Sequence, residues 1–320
     1  MKRKVSVVVP MYNEEAGIVK FLNEQLVPVL EGLKYDVEVI LVDDGSVDET
    51  VTKVMKKYGK ELGDKIKLIA LARNFGKEIA LTAGVNNAIG DAVIMIDADG
   101  QHPVEMIPEM VKKWEKGAYI VTAVRDENTT KHRIGSRIYY RVMRMCGNKN
   151  IVVGAMDYRL LDRSVVDEFN KMLEHNRMAR GLVDWLGYHQ EYVKVHTKVR
   201  TNGKPTYSRK KLMALTMDGL ASTSRTPLVL FGYIGAGIMV VSLVLGLFIL
   251  IQQYILGDPL GLDWSGAVAM SVFISFLVGL VLVSQAITAL YISQIHTEAK
   301  GRPLYVIDKR KSVGVNNDKK

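Results

Sequence analysis

Between Arg225 and Lys300 the chain has neither lysine nor arginine, and that interval holds two long apolar runs. Residues 228–251 and 264–292 carry no charged side chain, and each exceeds the ~20 residues that a helix needs to cross the hydrocarbon core. The stretch between them has Asp258 and Asp263 but no cation, whereas both outer flanks are basic. Cytoplasmic loops are the ones rich in Lys and Arg, so the pattern predicts a transmembrane hairpin with both ends in the cytoplasm. Two buried helices in a soluble core are the plainer alternative, but uncharged runs of this length normally span.

The chain has 43 Lys and Arg against 34 Asp and Glu for a net charge of +9, and this basic surplus belongs entirely to the flanks of the hairpin. Such a surplus suits anionic lipid, phosphorylated substrates or nucleic acid. Just ahead of the hairpin, residues 208–226 open on Ser208 as an N-cap and carry Leu212, Met213, Leu215, Met217 and Leu220 beside Arg209, Lys210 and Lys211. That mixture predicts a helix lying in the membrane interface. Further upstream, Arg133, Arg137, Arg141 and Arg144 fall at helical spacing beside Ile134, Ile138, Val142 and Met145. They read either as the solvated side of an ordinary amphipathic helix or as a basic platform for lipid headgroups. The single cysteine, Cys146, cannot form an internal disulfide and is expected to be a buried thiol. The N-terminal stretch is basic but too briefly apolar for a signal peptide and reads as a first strand.

In the first two hundred residues, apolar and β-branched runs recur at 5–9, 37–42, 67–71, 92–96 and 118–124. Helix-compatible stretches lie between them, at about 14–30, 47–59, 76–89 and 103–116. Alternation of this kind predicts a mostly parallel sheet covered on both faces, and 320 residues with 48% hydrophobic content supply the core. In such sheets ligands bind beyond the carboxyl ends of the strands. Three polar clusters fall there: "PMYNEE", "DDGSVDE" and "DADGQHP". The polar tail from about 308 onward is expected to be disordered.

Each cluster has a plain structural reading. Asn13 can cap a helix starting near Glu14, and Ser46 with Glu49 three residues later forms a capping box. His102 reads as a solvated or supporting group. The adjacent Asp43 and Asp44 are harder to reduce to turn chemistry, as are Asp97 and Asp99. If the strand at 92–96 continued, Asp97 and Asp99 would point to one face, and two like charges persist side by side only if one is protonated or a cation lies between them. There is no GxGxxG or Walker loop, no HExxH and no CxxC pair, which counts against dinucleotide enzymes, nucleotide hydrolases and zinc sites. Asp97, Asp99 and Gln101 form an oxygen-rich set suited to Mg²⁺ or Mn²⁺.

Taken in order, "VVVPMYNEE", "VDDGS", "ARNFGKE", "DADGQHP", "DYRLLDR" and "GKPTYSRKKL", followed by two apolar runs, resemble the polyprenyl-phosphate glycosyltransferases of glycosyltransferase family 2. That group includes bactoprenol glucosyl transferases and dolichol-phosphate mannose synthases, and the likeness spans about residues 4–295. The resemblance implies a GT-A (Rossmann-like) α/β catalytic domain over 1–207, an interfacial helix at 208–226, a two-helix transmembrane hairpin within 227–296, and a cytoplasmic tail at 297–320. It implies a nucleotide-sugar donor, a divalent metal, a polyprenyl phosphate acceptor, no nucleic acid, and a homo-oligomer, with a tetramer suspected. It also implies an integral protein of the cytoplasmic membrane whose catalytic domain and termini are cytoplasmic.

By the same resemblance, Pro10, Tyr12, Glu14 and Asp43 hold the base and ribose, and Arg73, Gly76 and Lys77 line the donor pocket. Asp97 approaches the nucleotide, and with Asp99 and Gln101 it coordinates the metal. Asp157 takes the place of a base or acceptor-positioning acid, with Arg159 beside it. Arg125, Arg133, Lys204 and Tyr207 are phosphate contacts. Gly100 and Pro205 depart from the group's commoner residues. UDP-glucose and undecaprenyl phosphate are the favoured substrates. The alternatives are a processive membrane polysaccharide synthase, disfavoured by the missing QxxRW motif, and a non-catalytic nucleotide-sugar sensor.

Overall fold

A computed structural model describes residues 3–125, 152, 154–175, 177–195, 251 and 266–315. The chain divides into two units, Met1–Leu212 with Arg302–Lys320, and Met213–Gly301. The first unit is built on one sheet of seven strands: β1 (Lys4–Met11), β2 (Asp36–Asp43), β3 (Ile66–Ala70), β4 (Ala92–Met95), β5 (Ile120–Arg125), β6 (Ala155–Asp162) and β7 (Gln190–Val195), in the order β3-β2-β1-β4-β6-β5-β7. All adjacent pairs are parallel except the two made by β6, which runs against β4 and β5. This is the expected GT-A, Rossmann-like α/β domain with a mostly parallel sheet.

The central strands read as continuous apolar runs because both faces of the sheet are covered. Val5, Val7, Val9, Leu41 and Ile94 belong to one buried cluster, and Val8, Ile40, Val42, Val93 and Met95 to the other. Pro10 lies in β1, yet the pairing of β1 with β4 ends at Val8 and Met95, so it stands where one side of the strand has already lost its partner and a missing N–H costs little. The α4 helix (Lys77–Asn87) sits so close to the sheet that a Cβ on Gly84 would come within 2.2 Å of Val8.

Helix boundaries differ from the expected ones. The first begins at Ile18 rather than near Glu14, running as α1 (Ile18–Lys20), a π-helical stretch over Phe21–Leu26, and α2 (Val27–Glu31). Helix α3 spans Thr50–Tyr58, and α5 spans Ile107–Glu115 after a short 3-10 turn. No capping box forms at Ser46: its hydroxyl is engaged by another loop, and α3 starts without a side-chain cap on Glu49. Asp162, by contrast, closes β6 and caps α6 (Arg163–Lys171), accepting from the Ser164 amide at 2.9 Å and from the Trp114 indole at 2.7 Å. Losing both bonds in Asp162→Ala is expected to cost about 2 kcal/mol, read as a lowered melting temperature; an unchanged melt would overturn it.

The tail expected to be disordered is paired through Val313: it returns to the open edge of β3, with Asp308 N donating to Ala70 O at 2.8 Å and Val313 N to Leu68 O at 2.8 Å. An edge strand with unpaired amides is a template for another strand, and Tyr305, Ile307 and Val315 add apolar side chains that pack on the core. In the second unit, helix α8 runs unbroken over 34 residues, Gly266–Ala299, and takes in residues 266–292 of the second expected span. Counting only residues whose side chains are described, no helix is long and apolar enough to cross a membrane. The first expected span and the helices expected at 133–145 and 208–226 lie outside the described residues, apart from Ile251.

Candidate active site

The loops leaving β1 and β2 are bolted together by reciprocal bonds. Asn13, in the left-handed region with φ of 54°, donates its amide to Ser46 Oγ at 2.9 Å, and its side-chain oxygen accepts from the Val47 amide at 3.0 Å. Asn13 and Ser46 are thus cross-loop partners rather than helix caps. Glu14 donates its amide to Thr50 Oγ1 at 2.9 Å, and Glu15 to Asp48 at 3.2 Å. Tyr12 remains 44% exposed on this rim.

Asp43 and Asp44 are both buried at the end of β2. The Asp43 carboxylate accepts from the Ser46 amide, while Asp44 takes the amides of Phe75 at 2.7 Å and Gly76 at 2.9 Å. Asp44 therefore ties the "RNFGKE" loop to the sheet. The approach is so close that a Cβ on Gly45, whose φ is +71°, would lie 2.5 Å from the Arg73 carbonyl carbon. Burial raises the pKa of both carboxyls, and the hydrogen bonds named here oppose that rise. Arg73 lies over the Phe75 ring at 4.0 Å.

Strand β4 stops at Met95, so Asp97 and Asp99 stand in the turn that follows rather than on one face of a strand. The cation beside Asp97 is Lys77, whose ammonium lies 2.8 Å from the carboxylate. Lys77 also reaches Asp157 at 3.4 Å. The antiparallel register explains that meeting: Met95 opposes Arg159, and continuing it two places brings Asp157 opposite Asp97. Arg180 completes the row from α7 (Ala179–Trp185), giving Asp157 Oδ1 two bonds at 2.7 and 3.1 Å. Charges thus alternate from Arg180 through Asp157 and Lys77 to Asp97. Although burial works against ionisation, Arg180 and Lys77 hold the Asp157 pKa down at about 2, while the two carboxylates push that of Lys77 up.

Asp99 accepts from the Gln101 amide at 3.0 Å. His102 is buried rather than solvated, stacked on Tyr158 with ring centroids 5.3 Å apart and accepting the Asp97 amide at Nδ1. Burial lowers its pKa, against the pull of the Asp97 and Asp99 carboxylates. Among the described residues no group of three or more His, Cys, Asp or Glu is gathered around a metal position. The Asp99 carboxylate and Gln101 amide oxygen are nevertheless hard donors of the kind Mg²⁺ and Mn²⁺ accept when substrate phosphates complete the shell.

Arg159 is 1% exposed and committed to Asp184 at 2.7 Å and to the Met156 carbonyl. Arg125 ends β5 with its buried Nε lacking a partner among the described residues. Arg133, Lys204 and Tyr207 lie outside the described residues. The sequence reading missed Arg180, and also Glu78, which accepts the Ala179 amide at 2.8 Å and so docks α7 on α4. The available signal was Arg180 and Asp184 spaced four apart, but that spacing predicts a pair within the helix; each instead crosses to β6.

A sequence model described as "Glycosyl transferase family 2" matches residues 6–169, and the chain belongs to that family. It is 37% identical over 310 residues to an uncharacterized glycosyltransferase, sll0501, of Synechocystis, covering 96% of this chain and 95% of that one. It is 34% identical over 313 residues to the bactoprenol glucosyl transferase of Shigella phage SfX, covering 96% of this chain and all of that one. Among solved structures, glucosyl-3-phosphoglycerate synthase of Mycobacterium tuberculosis gives a TM-score of 0.49 at 20% identity, over 68% of this chain and 78% of that one. The fold and the family define a glycosyltransferase.

Proposed function

We propose that the protein transfers one sugar, with inversion, from a nucleotide sugar to a polyprenyl phosphate at the cytoplasmic face of the cytoplasmic membrane. UDP-glucose and undecaprenyl phosphate are the first substrates to test. The observation that carries this reading is the likeness to bactoprenol glucosyl transferases over 96% of the chain. The charged row at the carboxyl edge of the sheet supports it chemically.

In this reading the nucleoside lies against Tyr12, Glu14 and Asp43 on the rim of β1 and β2, and the diphosphate lies toward Asp97, Asp99 and Gln101. A divalent cation held by Asp99 and Gln101, and by Asp97 if Lys77 yields it, would act as a Lewis acid toward the leaving diphosphate. The acceptor, a phosphate monoester with a second pKa near ~6, is largely dianionic at neutral pH. One of its oxygens forms the new bond to the anomeric carbon as the bond to the nucleoside diphosphate breaks, and the electron pair leaves with that diphosphate. Lys77 and Arg180 are placed to hold anionic oxygens, with Arg125 as a further phosphate contact. Arg159 is assigned a supporting role because its guanidinium is buried against Asp184, whereas Lys77 and Arg180, though paired, stay partly exposed.

The apolar runs at 228–251 and 264–292 would hold this site at the level of the lipid headgroups. Met270, Phe273, Ile274, Val281 and Ile295 are exposed on α8, as a lipid-facing helix requires. The test is incubation of the protein in detergent with undecaprenyl phosphate, Mg²⁺ or Mn²⁺ and a panel of UDP and GDP sugars, read by mass spectrometry. One sugar on the lipid, lost on chelation, is the expected product. Polymer would favour a processive synthase, and metal-dependent nucleotide binding without any product would favour a sensor.

A further inference from the structure

Strand β3 is the outer strand of the sheet on the side that carries Asp43, and the segment after α8 closes it. Ala72 N donates to Val306 O at 2.8 Å, Asp308 N to Ala70 O at 2.8 Å, and Leu68 N to Val313 O at 3.0 Å. The Ala70 amide goes to Ser312 Oγ at 2.9 Å. Three alternate amides of the edge, those of Leu68, Ala70 and Ala72, are thus all satisfied by the returning chain. Asp308 and Ser312 bracket a tight turn, with Ser312 Oγ donating to Asp308 O at 2.8 Å and Arg310 N to Asp308 Oδ1 at 3.0 Å. Between them stand Lys309, Arg310 and Lys311, three consecutive exposed cations.

The position of this turn matters more than its charge alone. Ala70 is the register partner of Asp43, and Leu71 N donates to Asp43 O at 2.8 Å. The turn therefore flanks the end of the sheet at which two adjacent carboxylates, Asp43 and Asp44, are buried. Among the described residues neither forms an ion pair. Burial raises both carboxyls, and the hydrogen bonds from Ser46 to Asp43 and from Phe75 and Gly76 to Asp44 are the first to oppose it; nearby cations add to that opposition. The charge of Lys311 acts on Asp43 in that sense, and that of Arg73 on Asp44. The strap bonds to Ala72, directly before the donor-pocket loop, and Tyr305 and Ile307 pack on the same apolar cluster as Phe75 of that loop. Tyr305 also accepts a bond from Asn86 of α4 at 3.2 Å.

We propose that residues 302–315 form a working part of the nucleotide site: a strap that fixes the end of β3 beside Asp43 and presents Lys311 to the donor's nucleotide. This rests on the donor reading given above, and it adds to that reading a contribution from beyond the apolar helices. The nucleotide end would then be built from the first seventy-six residues and from the last few turns of the chain together. Lys311 supplies electrostatic attraction for an anionic ligand through solvent, so its effect falls on affinity rather than on the rate of the bound complex, and it weakens with salt.

The test is titration of UDP with Mn²⁺ into the full-length protein, its Lys311→Glu variant and a Lys116→Glu control. Lys116 is exposed at the opposite end of the strands, just before β5, and it carries the same change of charge. Lys311→Glu is expected to weaken UDP binding by about tenfold at low ionic strength, with the gap shrinking at high salt. Donor KM should rise in step while kcat stays within about twofold. Lys116→Glu should bind like the parent. Equal affinity of Lys311→Glu and the parent, or an equal loss in both variants, would overturn the strap. Failure of the parent itself to bind UDP or any other nucleoside diphosphate would instead overturn the donor reading on which the strap depends.

Discussion

Replacing Asp99 by alanine is expected to lower sugar transfer by about a thousandfold, the scale on which loss of one preorganised charge-stabilising group acts on a reaction that expels an anion. Asp99 stands in the turn after β4 and accepts a local bond from the Gln101 amide at 3.0 Å, whose loss should cost about 1 kcal/mol. That separation makes the experiment clean: transfer is read by mass spectrometry of the glycolipid, and the melt is read beside it. The contrast with Asp97 explains the choice. Asp97 is already neutralised by Lys77 at 2.8 Å, so its removal would disturb the row of charges and the proposed metal set together. An Asp99→Ala protein that turned over within tenfold of the parent would remove the metal set from this turn.

The fold was legible in the sequence wherever burial dictates composition. Both faces of β1, β2 and β4 are covered, so their apolar runs announced themselves, and the carboxyl-edge position of the polar clusters followed from the alternation. Strand β6 escaped because its apolar residues are interrupted by Asp157 and Arg159, two charges that pair with Arg180 and Asp184 across the fold. Strand β7, with Tyr192 and Lys194 facing solvent, has too little apolar signal to be read as a strand. The boundary errors at α1 and α3 share one cause. Ser46, Asn13 and Asp48 have side chains that bond equally well to their own helix or to a neighbouring loop, and only the tertiary structure decides between them. The paired carboxylates at 97 and 99 did point to a cation, but the one beside Asp97 is Lys77, twenty residues earlier. The tail was misjudged because its apolar residues are scattered among charges, and what orders it is the unpaired edge of β3, which no local window contains.

Whether Asp157 moves a proton or only orients charged groups is decided by its surroundings. Arg180 and Lys77 hold its pKa at about 2, and a base so far below the operating pH accepts a proton poorly. A dianionic phosphate acceptor asks for none. Asp157 is therefore expected to act by position, and Asp157→Asn, which keeps an acceptor atom for Arg180, should retain activity within about tenfold while Asp157→Ala loses about a hundredfold. Equal, severe losses in both variants would mean that the acceptor atom alone is not enough and that the carboxylate itself, as charge or as base, is required. The same shift has a signature in stability. A carboxyl with a folded pKa of about 2 against an ordinary 3.8 contributes about 2 kcal/mol above the ordinary value, and that contribution is lost as pH falls through the folded one. Roughly half should be gone by pH 3. The melting temperatures of the parent and of Asp157→Asn should therefore lie furthest apart near neutrality and converge as pH drops from about 4 toward 2. A gap that stays constant across that window would mean that Asp157 is not held ionised by Arg180 and Lys77, and the alternating row of charges would lose its place at the centre of the site.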